Sequence, residues 1–166
     1  MPIFGSKDKN GNLSCNFMHV TGVNGIGNGT AVCLTQEDSE QRLSIAMRLS
    51  KVPPKYLSYS QITSVGTAYE DEIVEQNKSV VGRAAVGGLV FGPLGAIVGG
   101  ISGTGSKQKS QTRFFFIINY HSANNPGEIG VISFEIVGAS LHSSKFIDAL
   151  KTKIPQQPEQ PSSQYL

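Results

Sequence analysis

Residues 112–121 read TRFFFIINYH and residues 128–137 read EIGVISFEIV, with Asn124-Asn125-Pro126-Gly127 between them. A strand with one wet face alternates apolar and polar residues, because successive side chains point to opposite sides of the sheet. The run Phe114–Ile118 does not alternate; it is apolar on both parities. That pattern belongs to a central strand buried on both faces. Asn-Asn-Pro-Gly is a strong turn signal, since these residues supply the dihedral angles a reversal needs. The stretch 112–137 is therefore a β-hairpin at the heart of a sheet.

Working outward, QRLSIAMRL (41–49) alternates cleanly. Leu43, Ile45, Met47 and Leu49 fall on one side, and Arg42, Ser44, Ala46 and Arg48 on the other, the mark of a half-buried antiparallel strand. Pro53-Pro54 ends it. CNFMHVT (15–21), GVNGIGNG (22–29) and TAVCLT (30–35) read as strand, loop, strand. A turn is expected around 58–61 and a strand over 63–69, with Glu70, Asp71, Glu72 and Glu75 forming a solvated acidic run at its end. HSSKFIDALKTKI (142–154) changes period: Phe146, Ile147, Leu150 and Ile154 share one helical face. Residues 1–13 are a polar lead-in. The tail 155–166 is rich in Pro, Gln and Ser and has little to bury, so disorder is expected there.

The 166-residue chain suits one domain with a real core. Its net charge of +2 is too mild for a nucleic-acid partner, which calls for a clustered basic face. Cys15 and Cys33 do not make a disulfide framework and are expected to be reduced and structural. The start shows no basic region followed by an apolar run, so no signal peptide is expected and the default compartment is the cytoplasm.

Antiparallel strands closed by one C-terminal amphipathic helix resemble the pleckstrin-homology-like (PH-like) domains, including the GRAM type and bacterial relatives. The resemblance rests on QRLSIAMRL, YLSYSQITSV, the hairpin FFFIINYH…EIGVISFEI and the helix SSKFIDALKTKI. It covers most of 14–154 and implies a mostly-β α+β fold: a β-barrel or sandwich of two near-orthogonal sheets, with the helix plugging one end. Members that bind phosphoinositides carry Lys and Arg in the first hairpin loop. Here that loop is GVNGIGNG, without a basic residue, so phosphoinositide recognition is not carried over.

The insert at about 78–107 departs from this plan. Its centre reads GRAAVGGLVFGPLGAIVGG (82–100), with seven glycines in nineteen residues and Arg83 as the only charge. From Ala84 to Ser106 there are 23 uncharged residues, enough to cross a hydrocarbon core of about 30 Å as one helix. Strands on both sides belong to one domain, so a single crossing is excluded. Gly92-Pro93 breaks the segment into two arms, 81–91 and 94–103, each about 15 Å long if helical. Gly88 and Gly92, and Gly95, Gly99 and Gly103, are spaced four apart and would line one helical face. This resembles the glycine-zipper hairpins of some bacterial envelope and small membrane-active proteins and suggests, by resemblance, a bacterial or phage source. A helix so rich in glycine is intrinsically poor, at about 1 kcal/mol per Gly relative to Ala. A membrane, a partner copy or burial on its own domain must compensate.

The expected contact residues, for lipid or a second copy, are Val86, Gly88, Leu89, Val90, Phe91, Gly92, Pro93, Leu94, Gly95, Ile97, Val98 and Gly99. Lys78, Arg83, Lys107, Lys109 and Arg113 flank the segment and suit anionic headgroups. GISGTGSKQKS (100–110) has the glycine spacing of a P-loop, but Ser106-Lys107 stands where Lys-Ser/Thr is needed and a strand follows, so no nucleotide is expected. Cys15, His19 and Cys33 fall short of a zinc site, and neither metal nor cofactor is expected. No nucleophile, base and oxyanion site assembles. The sequence thus points to a non-enzymatic module that contacts the inner membrane face through the hairpin, or to a soluble scaffold or protein-interaction module assembled through the same helices.

Overall fold

The computed structural model describes residues 7–78, 89–102, 112–138 and 140–156. Seven strands form one antiparallel sheet: β1 (Leu13–Thr21), β2 (Thr30–Glu37), β3 (Arg42–Met47), β4 (Lys55–Ser58), β5 (Ile62–Tyr69), β6 (Phe114–His121) and β7 (Ile129–Glu135). Their order across the sheet is β4-β3-β2-β1-β7-β6-β5. Among the described residues three α-helices accompany them: α1 (Glu70–Lys78), α2 (Leu94–Ser102) and α3 (Ser140–Lys151).

The two edge strands are neighbours in sequence. Laid flat, β4 and β5 would lie six strand spacings, roughly 29 Å, apart. The 3-10 turn Tyr59–Gln61 that joins them has three residues and reaches no more than roughly 14 Å. The sheet must therefore roll round on itself. It does not close: among the described residues no ladder joins β4 to β5. The barrel or pair of sheets implied by the resemblance is thus one rolled, open sheet.

Rolling gives the sheet an inner face. Phe17, Leu34, Leu43, Ile45, Phe116, Ile118 and Phe134 fill it, and α3 caps it with Phe146, Ile147 and Leu150. The Phe17 ring lies 5.3 Å from Phe116, 5.9 Å from Phe134 and 5.7 Å from Phe146, so one aromatic ties three strands to the helix. Polar bonds fix where α3 sits. Gln36 Nε2 donates to the Phe146 carbonyl at 2.7 Å, and Lys153 Nζ donates to Gln36 Oε1 and Asp38 Oδ2. Tyr59 OH donates to the other Asp38 oxygen at 2.8 Å. Burial pushes the Asp38 carboxyl up, but the hydrogen bonds from Lys153 and Tyr59 outweigh it and hold the group below its ordinary range.

Two elements depart from the expectations. The acidic run at 70–75 is the start of α1, with Glu70, Asp71 and Glu72 in the first turn, where carboxylates favour the positive end of the helix dipole. The side chain of Glu72 reaches back to accept the Tyr69 N–H at 2.9 Å, satisfying one of the orphan donors of the helix start. The alternation over 41–49 places Leu49 with the core residues, but β3 ends at Met47 and Leu49 is fully exposed.

Candidate functional site

The outer face of the rolled sheet carries a second core. Val20 on β1, Ala68 on β5, Phe115 and Ile117 on β6 and Val131 on β7 all point outward, and all are buried. This accounts for the unbroken apolar run in β6: Phe116 and Ile118 face inward, Phe115 and Ile117 outward. The cover is the part of the glycine segment from Leu89 to Val98 together with α1. Leu89, Phe91, Leu94 and Val98 bury their side chains here, Val90 and Ile97 pack at the margin, and α1 contributes Ile73 and Val74.

A few specific contacts set the register of this cover. Asn119 follows Phe115 and Ile117 on the outer parity of β6. Its Nδ2 donates to the Val90 carbonyl at 2.7 Å, and its Oδ1 accepts the Val90 N–H at 2.7 Å and the Ser64 hydroxyl at 3.0 Å. The buried amide thus acts as a piece of strand backbone for Val90, which needs both a donor and an acceptor when removed from water. Leu89 sits over Gly66, where a methyl group would approach both of its terminal carbons to 3.3 Å. The chain then turns. Gly92 has φ +50°, and a Cβ there would lie 2.9 Å from Val131 Cγ2, so the position demands glycine on two counts. Leu94 N–H donates to the Phe91 carbonyl and Ile97 N–H to Pro93, making Pro93 the cap of α2.

Gly92 and Pro93 are exposed, as is Ala96, while Gly95 is buried and Gly99 lies within α2. Among the expected contact residues, then, Leu89, Phe91, Leu94 and Val98 face the sheet of their own domain. Val86, Gly88, Arg83, Lys107 and Lys109 lie outside the described residues, and Lys78 ends α1. Arg113 is described: its guanidinium holds Glu135 through two bonds of 3.2 and 2.8 Å and lies over the Phe115 ring. Its charge is offset within the domain. A cleft of about 500 Å³ at the root of the insert is lined by this pair with Tyr69, Phe114 and Val137. Ser133 is buried, and its hydroxyl has no hydrogen-bond partner among the described residues.

A model of the glycine-zipper-containing PH domain family matches residues 24–134, well over half the chain. The chain belongs to that family. No curated protein and no solved structure matches it. The match runs from the first loop through β7 and includes the whole insert, so the glycine zipper is a constitutive part of this PH domain.

The first loop of the PH domain, 22–29, is braced from within. His19 is buried at its base, with Nδ1 3.0 Å from the Gly27 carbonyl and Nε2 accepting the Val23 N–H at 3.3 Å. Nε2 can accept only if unprotonated, so Nδ1 carries the hydrogen. Burial pushes the His19 pKa down, partly opposed by its backbone acceptors. The unfolded chain takes up a proton near the ordinary value of about 6.5, whereas the folded chain resists until a lower pH. Stability is therefore full above about pH 6.5 and falls as the pH drops from there to the depressed folded value. Urea midpoints measured between pH 7.5 and pH 5 should show this loss, and His19→Gln should flatten it.

Cys15 faces the inner core, where burial raises its thiol pKa to about 11. Cys33 lies on the next strand, offset by one residue from the position opposite Cys15, and both cysteines are free. No group of three metal-ligating side chains occurs among the described residues.

Proposed function

We propose that this PH domain is a non-enzymatic module that associates with the inner face of the cell membrane through its glycine-zipper hairpin. The observation that carries the reading is the exposed Gly92-Pro93 turn in the middle of a 23-residue uncharged stretch. No helix among the described residues is long and apolar enough to cross a membrane, which favours contact from one side. The seated arm need not leave the sheet for its turn to enter the headgroup region. Full insertion would exchange burial against β6 for burial in lipid, two apolar surroundings of similar worth.

The test is vesicle flotation of the full chain against a Pro93→Asp/Ala96→Glu double variant. Both sites are exposed, and Asp is a favoured helix cap, so the fold is expected to survive. Flotation of the wild type that persists in high salt and is lost in the variant supports the reading. Equal flotation of both removes the hairpin from it.

A second reading, a soluble homo-oligomeric scaffold or protein-interaction module, draws support from the seat itself. A surface that buries Leu94 and Val98 of its own α2 suits the same helix from a neighbouring copy. Light scattering over a range of concentrations tests this: a mass that stays monomeric eliminates the oligomer.

A further inference from the structure

Three Asn-Gly dipeptides occur in the chain: Asn10-Gly11, Asn24-Gly25 and Asn28-Gly29, the last two within loop 22–29. Such a pair carries its own chemistry. The glycine nitrogen can attack the asparagine side-chain amide, and glycine has no Cβ to obstruct the approach. All three pairs are exposed. A Cβ placed on any of the three glycines would meet nothing within 4 Å, so space does not separate them.

What separates them is the nitrogen. Gly11 N–H donates to the Asp8 carbonyl at 3.0 Å, and Gly29 N–H donates to the His19 carbonyl at 2.8 Å. Gly25 N–H has no acceptor among the described residues. The two pairs in the loop are otherwise matched. Residues 23–26 form a turn closed by Ile26 N–H on the Val23 carbonyl at 3.2 Å, and residues 27–30 one closed by Thr30 N–H on the Gly27 carbonyl at 3.3 Å. Each has Asn second and Gly third, with φ +84° at Gly25 and +81° at Gly29, as in a type II turn. Only the second turn has its glycine nitrogen tied to β1. A tied nitrogen must give up its hydrogen bond before it attacks; Gly25 has none to give up.

We propose that Asn24 is a self-modification site, which converts to isoaspartate through Gly25 and so releases loop 22–29 from its brace. The step needs only water. Gly25 N bonds to Asn24 Cγ, the Cγ–Nδ2 bond breaks, and ammonia leaves with the glycine proton. Water then opens the cyclic imide. Opening at the side-chain carbonyl gives aspartate; opening at the backbone carbonyl gives isoaspartate, whose main chain runs through Cβ and Cγ and is longer by one carbon. Either product puts a carboxylate into a loop that carries no charge. Isoaspartate also lengthens a turn that is pinned at both ends. His19 Nε2 accepts the Val23 N–H at 3.3 Å, and Ile26 is buried in the inner core. An added chain atom between them does not fit the closing bond of the turn and both anchors together. The Val23–His19 bond, the longer of the two that His19 makes with the loop, is the one that yields.

The experiment follows deamidation of the full chain in mildly alkaline buffer, folded and in denaturing urea, with fragmentation mass spectrometry to assign each site. Dividing the folded rate at a site by its unfolded rate removes the effect of local sequence. That ratio should be roughly five- to tenfold higher at Asn24 than at Asn10 or Asn28, the factor that a net hydrogen bond is worth. Asn24→Gln, whose longer side chain cyclises poorly, should abolish conversion at this site and leave the other two unchanged. A ratio at Asn28 or Asn10 equal to that at Asn24 would overturn the proposal, as would a folded chain whose Asn24 stays intact while the unfolded chain converts. Asn24→Asp supplies the charge without the added carbon. The isolated isoaspartate form should have a lower urea midpoint than Asn24→Asp; equal midpoints would overturn the release of the loop.

Discussion

Asn119→Leu should detach the glycine segment from β6 and lower the stability of the domain by about 2–4 kcal/mol. The substitution keeps the number and branching of the side-chain heavy atoms and places an apolar group on a buried strand, so shape alone predicts little change. What it removes is the side-chain acceptor and donor that meet the Val90 N–H and carbonyl, together with one acceptor of the Ser64 hydroxyl. Each buried group left without a partner costs roughly 1–3 kcal/mol, more than a typical hydrogen bond contributes, because desolvation is no longer offset. The measurement is a urea denaturation midpoint for wild type and variant, at constant slope. A midpoint within error of wild type would mean that Asn119 does not anchor the segment.

Replacing residues 84–105 with a short polar linker should have a larger effect. Leu89, Phe91, Leu94 and Val98 are buried in the outer core, and each contributes about 1.5–3 kcal/mol by burial, an upper estimate of roughly 6–12 kcal/mol in all. That is comparable to the whole stability of an ordinary domain, about 5–15 kcal/mol. The replacement also uncovers Val20, Phe115, Ile117 and Val131. The expected product binds a hydrophobic dye, aggregates on warming and unfolds well below wild type. A linker variant that stays monomeric with an unchanged melting temperature would contradict the layered fold. The consequence for function is practical: such a variant would stick to vesicles through its bare sheet, so charge placed at Pro93 and Ala96 is the cleaner probe.

Much of this fold was legible in the sequence. Period-2 alternation located the strand around Leu43–Met47, a strand was expected over 63–69, and the switch in period at Phe146, Ile147 and Leu150 located the closing helix. The two-sided apolar run Phe114–Ile118 showed that β6 is covered on both faces. What covers its outer face was not legible, because the cover lies in a separate segment whose glycines dilute the apolar pattern. Burial on its own domain stood beside a membrane and a partner copy as a way to stabilise a glycine-rich helix, and sequence does not rank the three. Helix α1 was missed because only Ile73 and Val74 interrupt its acidic surface. Strand β4 was missed because four residues after Pro53-Pro54 carry too little pattern.

Single-residue roles were the least legible. An asparagine near the end of a strand, as Asn119 is, ordinarily marks polarity or a coming turn, and its partner Val90 lies 29 residues away. Leu49 continues the alternation of β3, and only the position of the strand end turns it from a core residue into an exposed one.

From Leu89 to Val98 the glycine segment is a built layer of this PH domain, seated on the outer face of the sheet. Hydrogen exchange on the lipid-free full chain, resolved over residues 89–102, is the measurement that decides whether this layer is seated. Slow exchange of the Val90 amide and of the later turns of α2, approaching that of β6, is the predicted result. Exchange at the rate of an unstructured peptide across 89–102, with β6 still protected, would contradict it.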